Sequence, residues 1–299
     1  MTGSSIDRAL EILRNGGLVA IPTETVYGLA GDASNEAAVR KIFEAKGRPA
    51  DHPLIVHIAA AEQLGDWAAR IPNAAEILAD TCWPGPLTLL VPRATHVLNV
   101  VTGGRETVGV RVPAHPLTTE LLDRFGGGLA APSANRFGKV SPTTAAHVVA
   151  DLGSQVDYVL DGGPCPVGVE STIVDCTVNP PQILRPGGIS SEDIREPLGD
   201  ALADAAGPSR ASGMLTSHYA PRARVLLVAS SEEATIEAGA VPGAWIIDHS
   251  DDLAAYAHSL FAELRAADQG GAETIIAVMP AARGLGHAVR DRLTKAAAR

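Results

Sequence analysis

A regular change of period constrains this chain more than any other feature: short apolar runs alternate with longer amphipathic segments along nearly the whole length. Helical spacing over 6–14 predicts a helix stopped by Asn15-Gly16-Gly17, and the run Leu18-Val19-Ala20-Ile21 behind it predicts a buried strand. Asn35 can cap a second helix reaching Lys46, with Ala38, Ile42 and Phe43 on one face and Gly47 as its stop. Further strands are expected over 54–58, 87–91, 108–112, 129–131, 158–160, 172–174 and 182–184, with helices over 117–125 and 143–152. The alternation predicts one large α/β domain spanning 1–205.

Residues 206–221, AGPSRASGMLTSHYAP, break the pattern. Gly, Pro and Ser without periodicity predict a linker. Over 222–299 the alternation resumes, with strands over 224–228, 245–248 and 274–278 and helices between and after them, the longer two over 253–267 and 285–298. Three strand–helix units predict a small parallel, Rossmann-like sheet, similar in outline to half a doubly wound fold. No GxGxxG follows its first strand, which argues against a dinucleotide site there. A chain of 299 residues is longer than one core usually serves, which agrees with a large domain and a small one.

Composition excludes several classes. Hydrophobic residues at 46% and charged residues at 19% are those of a globular protein, not a disordered one. No apolar run is long enough to cross a bilayer, and the N-terminus opens an amphipathic helix, so a cytoplasmic protein without membrane association is expected. Cys82, Cys165 and Cys176 form no CxxC pair and are expected as packed, reduced thiols. The formal charge is −10, and residues 1–207 carry 15 Lys and Arg against 24 Asp and Glu. Such a chain is a poor nonspecific nucleic-acid binder, so any RNA contact needs a local patch.

The candidate chemistry follows the apolar runs, where open α/β sheets bind ligands. Pro22-Thr23-Glu24-Thr25 either caps a helix or presents hydroxyls to a polar ligand. Lys46-Gly47-Arg48-Pro49 sets a point charge and a planar fork on either side of a turn, a good anion site. His57 closes the next strand. Arg111 ends an apolar strand, where a charge is expensive unless partnered, and a bound carboxylate or phosphate would be a partner. Ala131-Pro132-Ser133-Ala134-Asn135 lets a ligand approach the backbone, and Ser141 serves either the site or the next helix as a cap. Glu170-Ser171-Thr172 and Leu184-Arg185-Pro186-Gly187 complete the set. Lys46, Arg48, Arg111, Lys139 and Arg185, all at element ends in an otherwise acidic domain, predict a shared polyanion site. The chain has no GxxxxGK[ST] loop, GxSxG elbow or Cys–His arrangement, so positioning and electrostatics are expected in place of a covalent nucleophile.

PTETVYGL, KxRP with PLIVHI, WPGPLT, VRxP, PSAN, SPT, ESTIVD and LRPG, in this order, resemble the Sua5/YrdC family; SGM with HYAP in the linker and GLG with Arg292-Leu293 in the tail resemble its two-domain Sua5 branch. The resemblance covers essentially the whole chain. It implies a twisted, open barrel-like mixed sheet with a deep cleft, followed by the small Rossmann-like domain. It also implies a synthase that joins L-threonine, bicarbonate or CO2 and ATP into threonylcarbamoyl-AMP and pyrophosphate, for a modification at position 37 of tRNA completed by other proteins. By position, Lys46, Arg48, Ser133 and Asn135 would line the catalytic centre. ATP, with Mg²⁺ on its phosphates and no protein metal site, would meet Arg48, His52, Thr107, Ser133, Ser141, Arg185 and Tyr219, the last as part of a lid. Threonine would meet Thr25, His57, Arg111, Ala131 and Ser171. Two positions depart from the family pattern: His52 stands where Asn is usual, and Ser212 replaces a proline, which implies a looser lid. The rival readings are a carbamoyltransferase of the same fold and an RNA-binding module. The first lacks its further domains here, and the acidic balance opposes the second.

Overall fold

The computed structural model describes residues 1–199, 202–206, 210–214 and 218–298; the linker positions 207–209 and 215–217 lie outside them. Among the described residues, eleven strands form one twisted mixed sheet and three form a second, wholly parallel sheet. Edge to edge, the large sheet runs Thr2–Gly3, Tyr158–Leu160, Val19–Ile21, Gly28–Asp32, Leu129–Ala130, Ile55–His57, Thr107–Arg111, Leu87–Pro92, Thr172–Asp175, Gln182–Arg185 and Ala203–Asp204. The small sheet orders Arg224–Val228, Thr274–Val278 and Trp245–Ile247, with the last strand in sequence at its centre.

Local chemistry sets the element ends. Ser5 caps the helix Ile6–Arg14 by accepting from the Arg8 amide at 3.2 Å. Asn35 accepts from the Ala37 and Ala38 amides to start Glu36–Lys46, which stops at Gly47 in the left-handed conformation (φ 61°). Strands that read as unbroken apolar runs, such as Val19–Ile21, are buried throughout, because both faces meet apolar clusters, Ala20 in one and Val19 and Ile21 in another. Several pieces escaped the sequence reading, among them the short helices Leu64–Trp67 and Asn99–Thr102 and the edge strand Ala203–Asp204. Gly28–Asp32 is a strand starting inside the PTETVYGL motif; Asn73–Cys82 and Ser191–Leu198 are helices; Thr2–Gly3 is a two-residue edge.

The two sheets share apolar packing. Val26, Val140 and Val169, on loops of the large sheet, belong to the same buried cluster as Tyr256, Phe261, Leu264 and Leu293 beside the small one. Arg265 of the helix Leu253–Gln269 reaches across to Asp151 at 2.6 Å and donates to the backbone of Val140 and Ser141. Gly168 (φ 83°) sits so close to that helix that a Cβ would lie 2.4 Å from the Ala257 carbonyl oxygen. The loops between strands of the first lobe are therefore held from behind by the second.

Candidate active site

Those loops, with the linker, enclose a cavity of about 560 Å³, part of it open to solvent. Thr23, Thr25 and Gly28 line it from the first motif, Arg48 from the turn after Gly47, and His57 and Arg111 from neighbouring strand ends. Ala131, Pro132 and Ser133 form one wall, and Glu170, Ser171 and Arg185 another. Ser212, Gly213, His218 and Tyr219 close it from the linker side.

Each group is held by a local device. The Arg48 amide donates to the Phe43 carbonyl (2.9 Å) and the Gly47 amide to Glu44 (3.1 Å), a Schellman end that turns Arg48 back toward the sheet. The Arg48 guanidinium is buried, donating to the Pro53 carbonyl and the Ser212 hydroxyl; burial pulls its pKa down to about 10, so it stays cationic at neutral pH. The Thr23 hydroxyl accepts from the Thr25 and Val26 amides, forming a turn clasp, not a helix cap. Arg111 pairs with Glu24 at 2.7 Å in a buried bridge, and the other Glu24 oxygen accepts from the Ala114 amide. Arg185 grips the Ser171 carbonyl through two nitrogens and the Ser171 hydroxyl through one. Burial, and then Arg111, push His57 down to about 3, so its imidazole is neutral. Among the described residues, Arg48 Nε and His57 Nδ1 are buried without a protein hydrogen-bond partner.

A family model described as "Telomere recombination", covering Sua5, YciO and YrdC proteins, matches residues 11–187, and one described as "Threonylcarbamoyl-AMP synthase, C-terminal domain" matches 189–298. The chain belongs to the Sua5/YrdC family. It is 43% identical to the threonylcarbamoyl-AMP synthase of Pyrococcus abyssi, over 96% of this chain and 92% of that protein. To the Bacillus subtilis protein of that name it is 40% identical, over 98% and 92%. The fold superposes on a crystal structure of P. abyssi Sua5 complexed with L-threonine with a TM-score of 0.92 at 40% identity, covering 99% of this chain and 97% of that one.

Not every residue implied by the Sua5/YrdC pattern lines this cavity. Arg48, Ser133, Arg185, Tyr219, Thr25, His57, Arg111, Ala131 and Ser171 do. Lys46 is buried behind it, its ammonium donating at 2.5 Å to the carbonyls of Ser133 and Asn135, because a desolvated cation needs acceptors and the backbone supplies them. Asn135 faces the same loop, donating to the Arg136 and Lys139 carbonyls. Ser141 donates to Glu170 at 2.5 Å. His52 lies outside the cavity, edge-on to Phe137 at 5.2 Å, and Phe137 in turn lies under Arg48 at 5.7 Å. Thr107 begins its strand away from the cavity lining. Lys139 lines a separate groove at the seam of the two lobes with Arg136 and Arg265. The expected five-cation cluster therefore resolves into three guanidiniums in one cavity, a lysine bracing its wall and a lysine elsewhere.

Other residues were missed. Glu24 and Glu170 sat in recognised motifs without a role. Glu170 is held at about 2: burial alone would raise it, but Arg292, Arg185 and the Ser141 hydroxyl outweigh that. Arg292, on the helix Gly286–Ala297, is wholly buried and meets Glu170 at 2.8 Å. Its signal was available, since it shares a helix face with Val289, Leu293 and Ala296, where a lone charge requires a partner. Ser212, where the family pattern has a proline, is tied by hydrogen bonds: its hydroxyl donates to the Pro53 carbonyl at 2.7 Å and accepts from Arg48. Tyr219, in the left-handed region (φ 59°), stacks on Phe261 at 5.5 Å and is almost wholly buried.

Proposed function

We propose that this chain is a threonylcarbamoyl-AMP synthase, an enzyme that activates L-threonine with bicarbonate or CO2 and ATP for threonylcarbamoylation of tRNA. The observation that carries the reading is the convergence of Arg48, Arg111 and Arg185, from turns far apart in sequence, on one partly closed cavity. Three buried cations around a polar pocket suit a ligand set with a triphosphate and a carboxylate. The threonine amine takes up CO2 to give a carbamate, whose oxygen attacks the α-phosphorus as pyrophosphate leaves.

In this reading residues 1–205 are the catalytic domain, 206–221 the lid and 222–299 the C-terminal domain. Arg111, fixed by Glu24, faces the threonine carboxylate, with Thr25, His57, Ala131 and Ser171 around the rest of the amino acid. Arg48, Ser133 and Arg185 hold the phosphates, and Tyr219 covers them. No strong base is needed, because the carbamate is already anionic; the barrier is the approach of two anions, which the guanidiniums lower. Glu170, which lines the cavity, and Glu24, which pairs with the lining Arg111, each have both oxygens engaged, Glu24 by Arg111 and Ala114, Glu170 by Ser141 and Arg292. Mg²⁺ accordingly enters on the triphosphate as part of the substrate. The product passes to transfer proteins that act on tRNA, in the cytoplasm. Among the described residues no helix is long and apolar enough to cross a membrane.

The test is pyrophosphate release by the full chain with ATP, Mg²⁺ and bicarbonate, expected only when L-threonine is added. Threonine-independent release, or none, would overturn the reading. Arg48→Ala is expected to lower kcat/KM by roughly 30-fold, about 2 kcal/mol of transition-state stabilisation.

A further inference from the structure

The cavity has an anion in its wall that works against anion binding. Glu170 lines the pocket, is buried and stands next in sequence to Ser171, the residue Arg185 grips. Its two oxygens meet the Ser141 hydroxyl at 2.5 Å and Arg292 Nε at 2.8 Å. Arg292 also donates to the Pro186 carbonyl at 2.9 Å and to Asp291 at 2.6 Å, so it clamps the 170–171 and 185–186 segments together from the C-terminal lobe. Arg185, bonded to the adjacent Ser171 and lining the same cavity, is the guanidinium that acts on Glu170 next after Arg292.

We infer that Arg292 is a positioning residue of the C-terminal lobe: by sequestering Glu170 it keeps Arg185 available to an anionic substrate. A carboxylate buried beside a single hydroxyl is unstable without a counter-cation. With Arg292 gone, Glu170 draws on Arg185, and the guanidinium that faced the pocket becomes an internal counterion. The small lobe thereby sets the charge of a site it does not line with Arg292, through one side chain on an apolar helix face. A purely structural clamp predicts something different, namely that loss of Arg292 and loss of Arg185 act independently.

This inference rests on the cavity being the nucleotide site, so its test is made independent of turnover. The full-length protein and its variants are titrated calorimetrically with inorganic tripolyphosphate, with folding checked by near-UV circular dichroism. Arg185→Met is expected to weaken binding by about tenfold or more in the wild-type background but less than about threefold when Arg292→Met is already present. Glu170→Gln added to Arg292→Met is expected to bring affinity back to within about threefold of wild type. Equal losses from Arg185→Met in both backgrounds, or no recovery on adding Glu170→Gln, would overturn the inference. Where Arg292→Met alone does not fold, the comparison is made within Glu170→Gln, which leaves no carboxylate to sequester: Arg292→Met must then cost less than about threefold, and a tenfold cost refutes the role. Wild-type protein that binds tripolyphosphate as described yet releases no threonine-dependent pyrophosphate would overturn the synthase reading and leave this inference standing.

Discussion

At the scale of single residues, the lesson is that a cation's position in sequence does not tell which way it faces. Arg48, Arg111 and Arg185 were legible because each sits at an element end by a Gly or Pro turn in an otherwise acidic domain, where a buried guanidinium is expensive without an anionic or carbonyl partner. Lys46 has the same signature and a different use. It ends a helix two residues before Arg48, but its flexible stem folds onto the Ser133 and Asn135 carbonyls, a contact fixed by a loop almost ninety positions away. Lys46→Met should leave two buried carbonyls without their donor and destabilise the protein by about 2–4 kcal/mol. The same change should reduce kcat/KM, because the wall carrying Ser133 loosens. Urea unfolding beside steady-state kinetics checks both, and a variant with wild-type stability would show that the ammonium is not bracing the loop. Glu24 and Glu170 were invisible for the converse reason. A carboxylate inside a motif looks like a ligand until its oxygens are seen to be engaged by Arg111 and Arg292.

At the scale of elements, helices with side-chain caps and strands with long apolar runs were readable, and the irregular connections between them were not. Ile6–Arg14 and Glu36–Lys46 carry their start and stop signals in the sequence. Gly28–Asp32 does not: GLAGD is too small and glycine-rich to show a strand pattern, and only its neighbours Val19–Ile21 and Leu129–Ala130 make it one. Gly168 is another such case. Nothing nearby in sequence announces that it touches the helix Leu253–Gln269, yet its φ of 83° and the absence of a Cβ let the 168–171 segment pass that helix while presenting Glu170 and Ser171 to the cavity. Gly168→Ala therefore has two penalties, the left-handed backbone and a methyl pressed against Ala257 and His258. We expect a loss of about 2 kcal/mol or more in denaturant unfolding. The activity loss should exceed what the lower folded fraction explains, since the displaced segment carries site residues. Unchanged kinetics in a folded G168A protein would mean the two lobes can shift without disturbing the cavity.

For the whole molecule, the two-lobe division was readable from the break in periodicity over 206–221, but its energetic meaning was not. Val26, Val140 and Val169 pack in the core of the small lobe, and Arg292 of that lobe holds Glu170 in the cavity wall, so folding and site assembly are coupled. That coupling predicts the response to acid. His57 and His218 are both buried and both pushed down to about 3, chiefly by desolvation and then, among the charges that lower them, by Arg111 for His57 and by Lys46, Arg48 and Arg292 for His218, where Glu170 opposes the shift. In the unfolded chain they titrate near the ordinary 6.5. Between about 6.5 and 3 the unfolded state binds protons that the folded state does not, so unfolding free energy rises with pH and stability falls on acidification. Each imidazole contributes a slope of at most about 1.4 kcal/mol per pH unit once its unfolded form is protonated. Glu170, held near 2, adds its loss only below its ordinary value of 4.5. Urea midpoints measured from pH 7.5 down to 5 should therefore fall steadily before carboxylates titrate, and the decline should flatten in a His57→Gln/His218→Asn double variant. A midpoint constant over that range in the wild-type protein would mean that protons reach these imidazoles in the folded state, and that the cavity under the linker opens without unfolding either lobe.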